Sequence, residues 1–207
     1  MANTTTRYSA AGTTRADRMT FHILERGKVV SSIMEGVISK PMNFKENAAI
    51  AKKIPQSKII SVDISGAALQ ICRKNVNLNK LNSRVICMQA DAKQAPPRGM
   101  GSYDMIVCNP PYIPSEEIGT LDHSVKDFEP VLALHGGDDG LEFYRAIAKN
   151  YADALKPGGY LAFEFGMGQG DGVCTILEQN GYTILERSRD YNDRERAVLA
   201  QYGRKEA

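Results

Sequence analysis

Tryptophan is absent, cysteine is scarce, and nowhere in the 207 residues does an apolar run approach the roughly 18 that a membrane-spanning helix needs. A membrane protein built on such helices is therefore excluded. No secretory apolar core follows the first residues. The four cysteines (Cys72, Cys87, Cys108, Cys174) lie far apart, with no Cys-x-x-Cys pair. That excludes a ribbon-type zinc site and a disulfide scaffold, and fits buried free thiols in a reducing, cytoplasmic setting. The three histidines (His22, His123, His135) are scattered, with no cluster of Cys or carboxylates at ligand spacing, so no metal site is expected. An excess of one charge is also missing. Lys and Arg number 26 against 24 Asp and Glu, a net +2, so nucleic acid could be held only by a local patch. What is present suffices for a packed core: 43% hydrophobic and 24% charged residues, the size of one domain with a short arm.

Residues 1–20 are rich in Thr, Ser, Ala and Arg and read as a flexible arm, without the apolar face of an organellar presequence. Residues 21–47 carry only short apolar steps, at Val29–Met34 and Val37-Ile38, broken by Pro41. From residue 48 the pattern alternates. Ala48–Ile54 is the end of a helix stopped by Pro55. Lys58–Asp63 is an apolar strand ending in an acid. Ser65 caps a helix whose face carries Leu69, Cys72 and Val76. Arg84–Gln89 and Tyr103–Cys108 are further strands. Residues 113–138 lack periodicity and read as a long functional loop. Asp139 caps a helix carrying Leu141, Tyr144, Ile147, Tyr151 and Leu155, stopped by Lys156-Pro-Gly-Gly159. Tyr160–Phe165 is a strand, Val173, Ile176 and Leu177 mark a helix, and Tyr182–Glu186 and Ala197–Tyr202 form a hairpin around a charged turn, Asp190–Glu195. Strands alternating with helices predict an α/β fold. Its sheet is mostly parallel, covered on both faces, with a C-terminal antiparallel hairpin at or near one edge.

In such a sheet ligands bind beyond the carboxyl ends of the strands. Asp63, Asp91 and Asn109 occupy such ends. Asp63 can accept from ribose hydroxyls or serve as a turn and capping residue, and Asp91 is either a second such acid or a loop residue. Asn109-Pro110-Pro111-Tyr112 is the sharpest feature. Its prolines fix φ and remove two donors, leaving the Asn109 side-chain oxygen and the Pro110 carbonyl as paired acceptors for an NH₂ group. Tyr112 offers a flat face for a planar group. Cys108 has no histidine beside it, which disfavours a thiol nucleophile. Met167, Gly168 and Gly170 do not have P-loop spacing. Glu116, Glu117 and Asp122 read as solvated loop charges.

Residues 48–207 resemble the release-factor glutamine methyltransferases, the HemK-like family of protein-(glutamine-N5) methyltransferases. The resemblance runs through Ile60-Ser-Val-Asp63, Tyr103–Ile113, Phe128-Glu-Pro130, Leu132-Ala-Leu134, Gly136-Gly137, Asp139-Gly-Leu141, Lys156–Tyr160, Glu164, Gly166, Arg189-Asp-Tyr191 and Glu195-Arg196. It implies a Rossmann-like class I fold and S-adenosylmethionine as cofactor. Asp63 would then lie on the ribose, Asp91 and Ala92 beside the adenine, and Asn109 at the reacting end. Asn109, Pro110, Pro111 and Tyr112 would bind the substrate amide. The implied substrate is the Gly-Gly-Gln glutamine of a peptide chain release factor. Asn-Pro-Pro-Tyr by itself also suits an exocyclic amine of DNA or RNA.

The chain departs from the family at its N-terminal side. A glycine-rich loop is due near residues 38–44, where Ile38-Ser-Lys-Pro-Met-Asn-Phe44 stands without glycine. Residues 1–47 thus read as an unassigned arm, of the kind a truncation or frameshift leaves, and 48–207 as the catalytic domain. The missing first strand belongs in the middle of the sheet, with Val29–Met34 or Gly36–Ser39 expected to take its slot. With the loop absent, S-adenosylmethionine is expected to bind weakly or not at all, and a catalytically impaired chain is the remaining alternative. Glu129 is weighed between holding the Asn109 turn and a simple turn role.

Overall fold

The computed structural model describes residues 21–24, 50–51, 54–98, 100–121 and 131–203. Its elements follow the alternation of the sequence. They are β1 (Phe21–Leu24), β2 (Ile59–Asp63), α1 (Gly66–Leu78), β3 (Val85–Gln89), β4 (Tyr103–Cys108), α2 (Ser115–Ile118), α3 (Glu142–Asn150), β5 (Leu155–Glu164), α4 (Gly170–Gln179), β6 (Tyr182–Arg189) and β7 (Glu195–Tyr202), with 3-10 turns at Val131–Ala133 and Ala152–Ala154. The seven strands form one sheet in the order β3-β2-β1-β4-β5-β7-β6.

Side chains alternate across this sheet, as the period of two requires. Ile106 and Cys108 of β4, Leu161 and Phe163 of β5, and Val198 and Ala200 of β7 face α3 and α4. Met105, Val107, Ala162, Ala197 and Leu199 face the other way, into the cluster that holds Ala68, Cys72 and Val76 of α1. Both faces are thus covered, which is why these strands read as continuous apolar runs. Tyr144 of α3 meets Phe163 edge-on, ring centroids 5.1 Å apart, and its hydroxyl donates to the Glu164 carbonyl at 3.0 Å. Helix α1 starts as the sequence predicts. Ser65 Oγ accepts the Ala68 amide at 3.2 Å, while Asp63 Oδ1 accepts the Ser65 amide at 2.7 Å.

Strands β2 and β3 pair parallel, as do β4 and β5, and β6 and β7 make the expected antiparallel hairpin. The hairpin enters the sheet through β7, leaving β6 at the edge. Three boundaries differ from the expected ones. Helix α3 starts at Glu142 with Leu141 at its N-cap position, so Asp139, expected as the cap, instead accepts the Leu141 amide at 3.0 Å. Helix α3 ends at Asn150, so that Tyr151 closes it and Leu155 already belongs to β5. The Lys156-Pro-Gly-Gly159 segment, expected as a stop, lies inside β5 as an irregularity between the Tyr103–Leu155 and Met105–Tyr160 pairs.

The central slot is filled from an unexpected place. Between β2 and β4 lies Phe21–Leu24, antiparallel to both, with Phe21 level with Val62 and Cys108 and Leu24 level with Ile59 and Met105. The expected fillers, Val29–Met34 and Gly36–Ser39, lie outside the described residues, and the slot is taken without them. The sheet therefore draws a strand from before residue 48. Because Leu24 pairs with Ile59, the chain leaves β1 at the end where β2 begins, and the connection needs no crossover over the sheet. Direction is secondary to pairing: the facing edges of β2 and β4 need partners, and an extended segment satisfies them either way round.

Proline within a strand bonded on both sides removes a ladder bond and orphans an acceptor. Ile23, opposite Ile60 and Ile106, tests the slot. Ile23→Pro is expected to lower unfolding free energy by at least about 1–3 kcal/mol in urea titration. A change within about 0.5 kcal/mol, the range of a surface substitution, would contradict β1 as the central strand.

Candidate active site

Asp63, Asp91 and Asn109 all lie at one end of the sheet. Asp63 closes β2, is 3% exposed, and its carbonyl accepts the Ala90 amide at 3.1 Å, which ties it to the end of β3. The turn reading of Asp63 is therefore realised through its Oδ1 bond to Ser65. Asp91 follows β3 and is half-buried, and its Oδ1 accepts the Lys93 amide at 2.9 Å. Ala92 is fully buried against the core. Lys93 anchors this corner to α3: its carbonyl accepts Asn150 Nδ2 at 2.7 Å, and its ammonium pairs with Glu142 at 3.1 Å.

Asn109 follows β4 directly and is 1% exposed. Among the described residues neither its Oδ1 nor its Nδ2 has a hydrogen-bond partner. Pro110 and Pro111 are buried and Tyr112 is half-buried. The carboxamide is thus shut in, and a substrate reaches it only if what covers it moves. Phe21 stands between Val62 and Cys108 in register, so Asp63 and Asn109 flank β1 and stand about 10 Å apart, two strand spacings. That end of β1 is a strand's beginning, where the family has a strand's end and its glycines. The glycine-poor segment 38–44 lies outside the described residues.

The turn is held from its far side. The Ile113 amide donates to the Leu134 carbonyl and the Gly136 amide to the Ile113 carbonyl, both at 2.9 Å, a parallel bridge between Ile113 and His135. Gly136 lies so close that a methyl there would come within 2.7 Å of Tyr112 Cα and 2.9 Å of the Pro111 carbonyl oxygen. Gly140, at φ +72°, packs its Cα side directly on the Tyr112 carbonyl. Gly136 and Gly140 are thereby explained, since backbone lies on backbone, while Gly137, at φ +90°, faces the Glu142 side chain. Ser115 Oγ lies 2.8 Å from His135 Nε2 and 2.9 Å from Asp138 Oδ1. Its one proton goes to the carboxylate, so the hydroxyl accepts from the imidazole and serves as a clasp rather than a nucleophile.

Gln169 is the residue that sequence reading missed. Its Nε2 donates to the Tyr112 carbonyl at 2.8 Å, and its Oε1 accepts the Gly166 amide at 2.9 Å. No spacing rule signals this, since Gln169 and Tyr112 are 57 residues apart. Residues 191–194 of the charged turn are exposed, while Glu195 and Arg196 are half-buried. Glu195 and Arg196 belong to β7, where Arg187 joins Glu195 (2.5 Å) to Asp171 of α4 (2.8 Å) and Arg196 donates to Asp190 at 3.4 Å. Glu116 and Glu117 are exposed. Phe128, Glu129, Pro130, Asp122 and His123 lie outside the described residues.

Titration behaviour beside the turn follows from burial. Cys108 is fully buried, which pushes its thiol well up, with Glu164 adding to the shift. It stays protonated and is no nucleophile. Asp139 is the opposite case. The Arg145 guanidinium, at 2.8 Å from both carboxylate oxygens, lowers it to about 2.

Comparison with known proteins follows the same outline. Residues 20–121 match the UPF0020 family, described as an RMKL-like methyltransferase domain. The chain is 38% identical over 155 residues to a release factor glutamine methyltransferase of Clostridium acetobutylicum, covering 75% of this chain and 54% of that protein. It is 40% identical over 159 residues to one of Moorella thermoacetica, covering 76% and 55%. The chain spans about half the length of these curated relatives. Among solved structures, a methyltransferase from Pyrococcus furiosus matches with a TM-score of 0.57 at 16% identity, over 84% of this chain and 81% of that one. An O-methyltransferase family protein from Burkholderia thailandensis matches with 0.55 at 15%, over 86% and 57%. The fold is that of these methyltransferase structures, and residues 20–121 match a methyltransferase domain. Within that class the chain is a relative of the release factor glutamine methyltransferases over three quarters of its length, as Asn109–Tyr112 and the glycine pairs imply.

Two outcomes test the geometry. A buried, unbonded carboxamide costs about 1–3 kcal/mol per orphaned group. Asn109→Leu, which keeps the branching and removes both polar atoms, is expected to match or exceed the native urea stability by up to that amount. A clear loss would mean that the carboxamide is bonded in solution. The Asp139 carboxyl, followed by NMR, is expected to titrate near 2 and to return toward about 3.9 in Arg145→Ala. Its folded value is depressed, so its stabilising contribution is complete above about pH 4 and is lost as pH falls through 2.

Proposed function

We propose that this chain transfers a methyl group to the side-chain amide nitrogen of a protein glutamine, the Gly-Gly-Gln glutamine of a peptide chain release factor. One observation carries the reading: Asn109 offers a carboxamide in the interior, with both polar atoms unbonded among the described residues, beside a double-proline corner at the end of β4. A planar NH₂ donor answers that need, with Asn109 Oδ1 and the Pro110 carbonyl accepting its two protons and Tyr112 stacking on the amide plane. The kinship with proteins named release factor glutamine methyltransferase supports glutamine as the amide.

S-adenosylmethionine, when bound, supplies a sulfonium methyl that is already electrophilic. The chain's own task is then alignment. Asp63 would hold the ribose, while Asp91 and Ala92 would border the adenine, on the β2–β3 side where these residues are buried or half-buried. Asn109 and Pro110 aim the nitrogen lone pair and stabilise the positive charge it gains, and the spare proton leaves to solvent. No base of unusual pKa is called for. The sequence has no glycine at 38–44, so the cofactor is held weakly or not at all.

The test combines labelled S-adenosylmethionine with release factor or with nucleic acid. Label is expected in release factor glutamine and is lost by more than about 100-fold in Asn109→Ala, the scale of a lost aligning group. Label in nucleic acid instead would transfer the same chemistry to a base amine. No label in either would identify an impaired chain. Calorimetry giving a micromolar dissociation constant would refute the weak grip.

A further inference from the structure

We propose that Gln169 is a positioning residue for the Asn109 turn, holding it in register with β5 through the Tyr112 carbonyl. The proposal rests on the glutamine-methyltransferase reading for its kinetic consequence, though not for its structural one. Gln169 occupies the N-cap position of α4 yet makes no cap bond. Ser, Thr, Asp or Asn would serve that position better. Its side chain instead turns back into the site. Oε1 accepts the Gly166 amide just beyond β5, at 2.9 Å; Nε2 donates to the Tyr112 carbonyl at 2.8 Å and points at the Gly140 carbonyl at 3.5 Å. A carboxamide has acceptor and donors in one plane, and here it joins three segments: strand end, turn and glycine loop.

The neighbouring residues leave room for it. A methyl on Gly166 would lie 2.9 Å from Gln169 Oε1 and 2.9 Å from the Tyr112 ring, and a methyl on Gly140 would lie 2.5 Å from Gln169 Nε2. The turn is already fixed at its start by the pairing of Cys108 with Phe163. Gln169 fixes its end to the same strand, so Asn109 is held between two attachments to β5. Misplacement of a reacting group by about 1 Å can cost about 100-fold in rate.

Two variants separate positioning from general support. Gln169→Ala removes donor and acceptor. Gln169→Glu keeps the acceptor for Gly166 but, when ionised, sets a carboxylate against the Tyr112 carbonyl; protonated, it regains a donor. In amide hydrogen exchange, Ile113 and Gly136 are expected to exchange at least tenfold faster in both variants at neutral pH, with β6 and β7 unchanged. Gly166 is expected to stay protected in the glutamate variant alone. Lowering the pH is expected to restore Ile113 protection in Gln169→Glu and not in Gln169→Ala. Methyl transfer, where the wild type shows it, is expected to lose kcat 10- to 100-fold with KM for S-adenosylmethionine unchanged, and to recover at low pH only in the glutamate variant. Unchanged exchange at Ile113, or exchange accelerated throughout the chain, would overturn the proposal. A wild type without glutamine methylation would overturn the functional reading and leave the exchange results to decide the role of Gln169.

Discussion

A carboxamide enclosed without a partner among the described residues is the constraint around which this end of the molecule is arranged. Left to relax, Asn109 would rotate toward a neighbour or toward water. Several features prevent it. The two prolines that follow fix φ, and β4 pairs up to Cys108. Ile113 is bridged to Leu134 and Gly136, and the glycine loop lies against the turn too closely for any side chain. The strain of an unsatisfied group persists only where its surroundings over-determine it. The same contacts that hold the turn leave Asn109 Oδ1 and Nδ2 without a partner among the described residues.

The reversed central strand shows which requirements of the fold are strict. Pairing for the inner edges of β2 and β4 is strict, because both are buried. Strand direction is not. Phe21–Leu24 supplies the bonds while running the wrong way for a strand whose end should cradle a cofactor. Asp63 ends β2, Asp91 and Ala92 follow β3, and Asn109 follows β4, so all four stand on the parallel strands that flank β1 or neighbour them.

What was legible in the sequence was local. Ser65 with Leu69, Cys72 and Val76 announced α1, and an acid or amide directly after an apolar run announced the strand ends, because cap, period and terminus are short-range features. The identity of β1 was not legible. Four residues carry too little pattern, and their partners lie 35 or more positions away in sequence, so pairing alone selects them. Leu155 was read as helix because it continues a three-and-four spacing, yet its partner is Tyr103 in β4. Gln169 was invisible for a related reason. It looks like a linker residue between glycines, and its meaning lies wholly in the Tyr112 carbonyl it reaches. The glycine pairs were recognised by resemblance alone, and only the backbone contacts at Gly136 and Gly140 supply their physical cause.

Three buried groups near the turn favour their neutral forms. Burial pushes up the Cys108 thiol and the Tyr144 and Tyr151 hydroxyls, with Glu164 or Asp91 adding to the effect. Asn109 is set among these buried neighbours, where a low dielectric strengthens any dipole. Asn109 is neutral at every accessible pH. Its orientation, rather than its charge, is what the double proline, the glycine loop and Gln169 combine to protect.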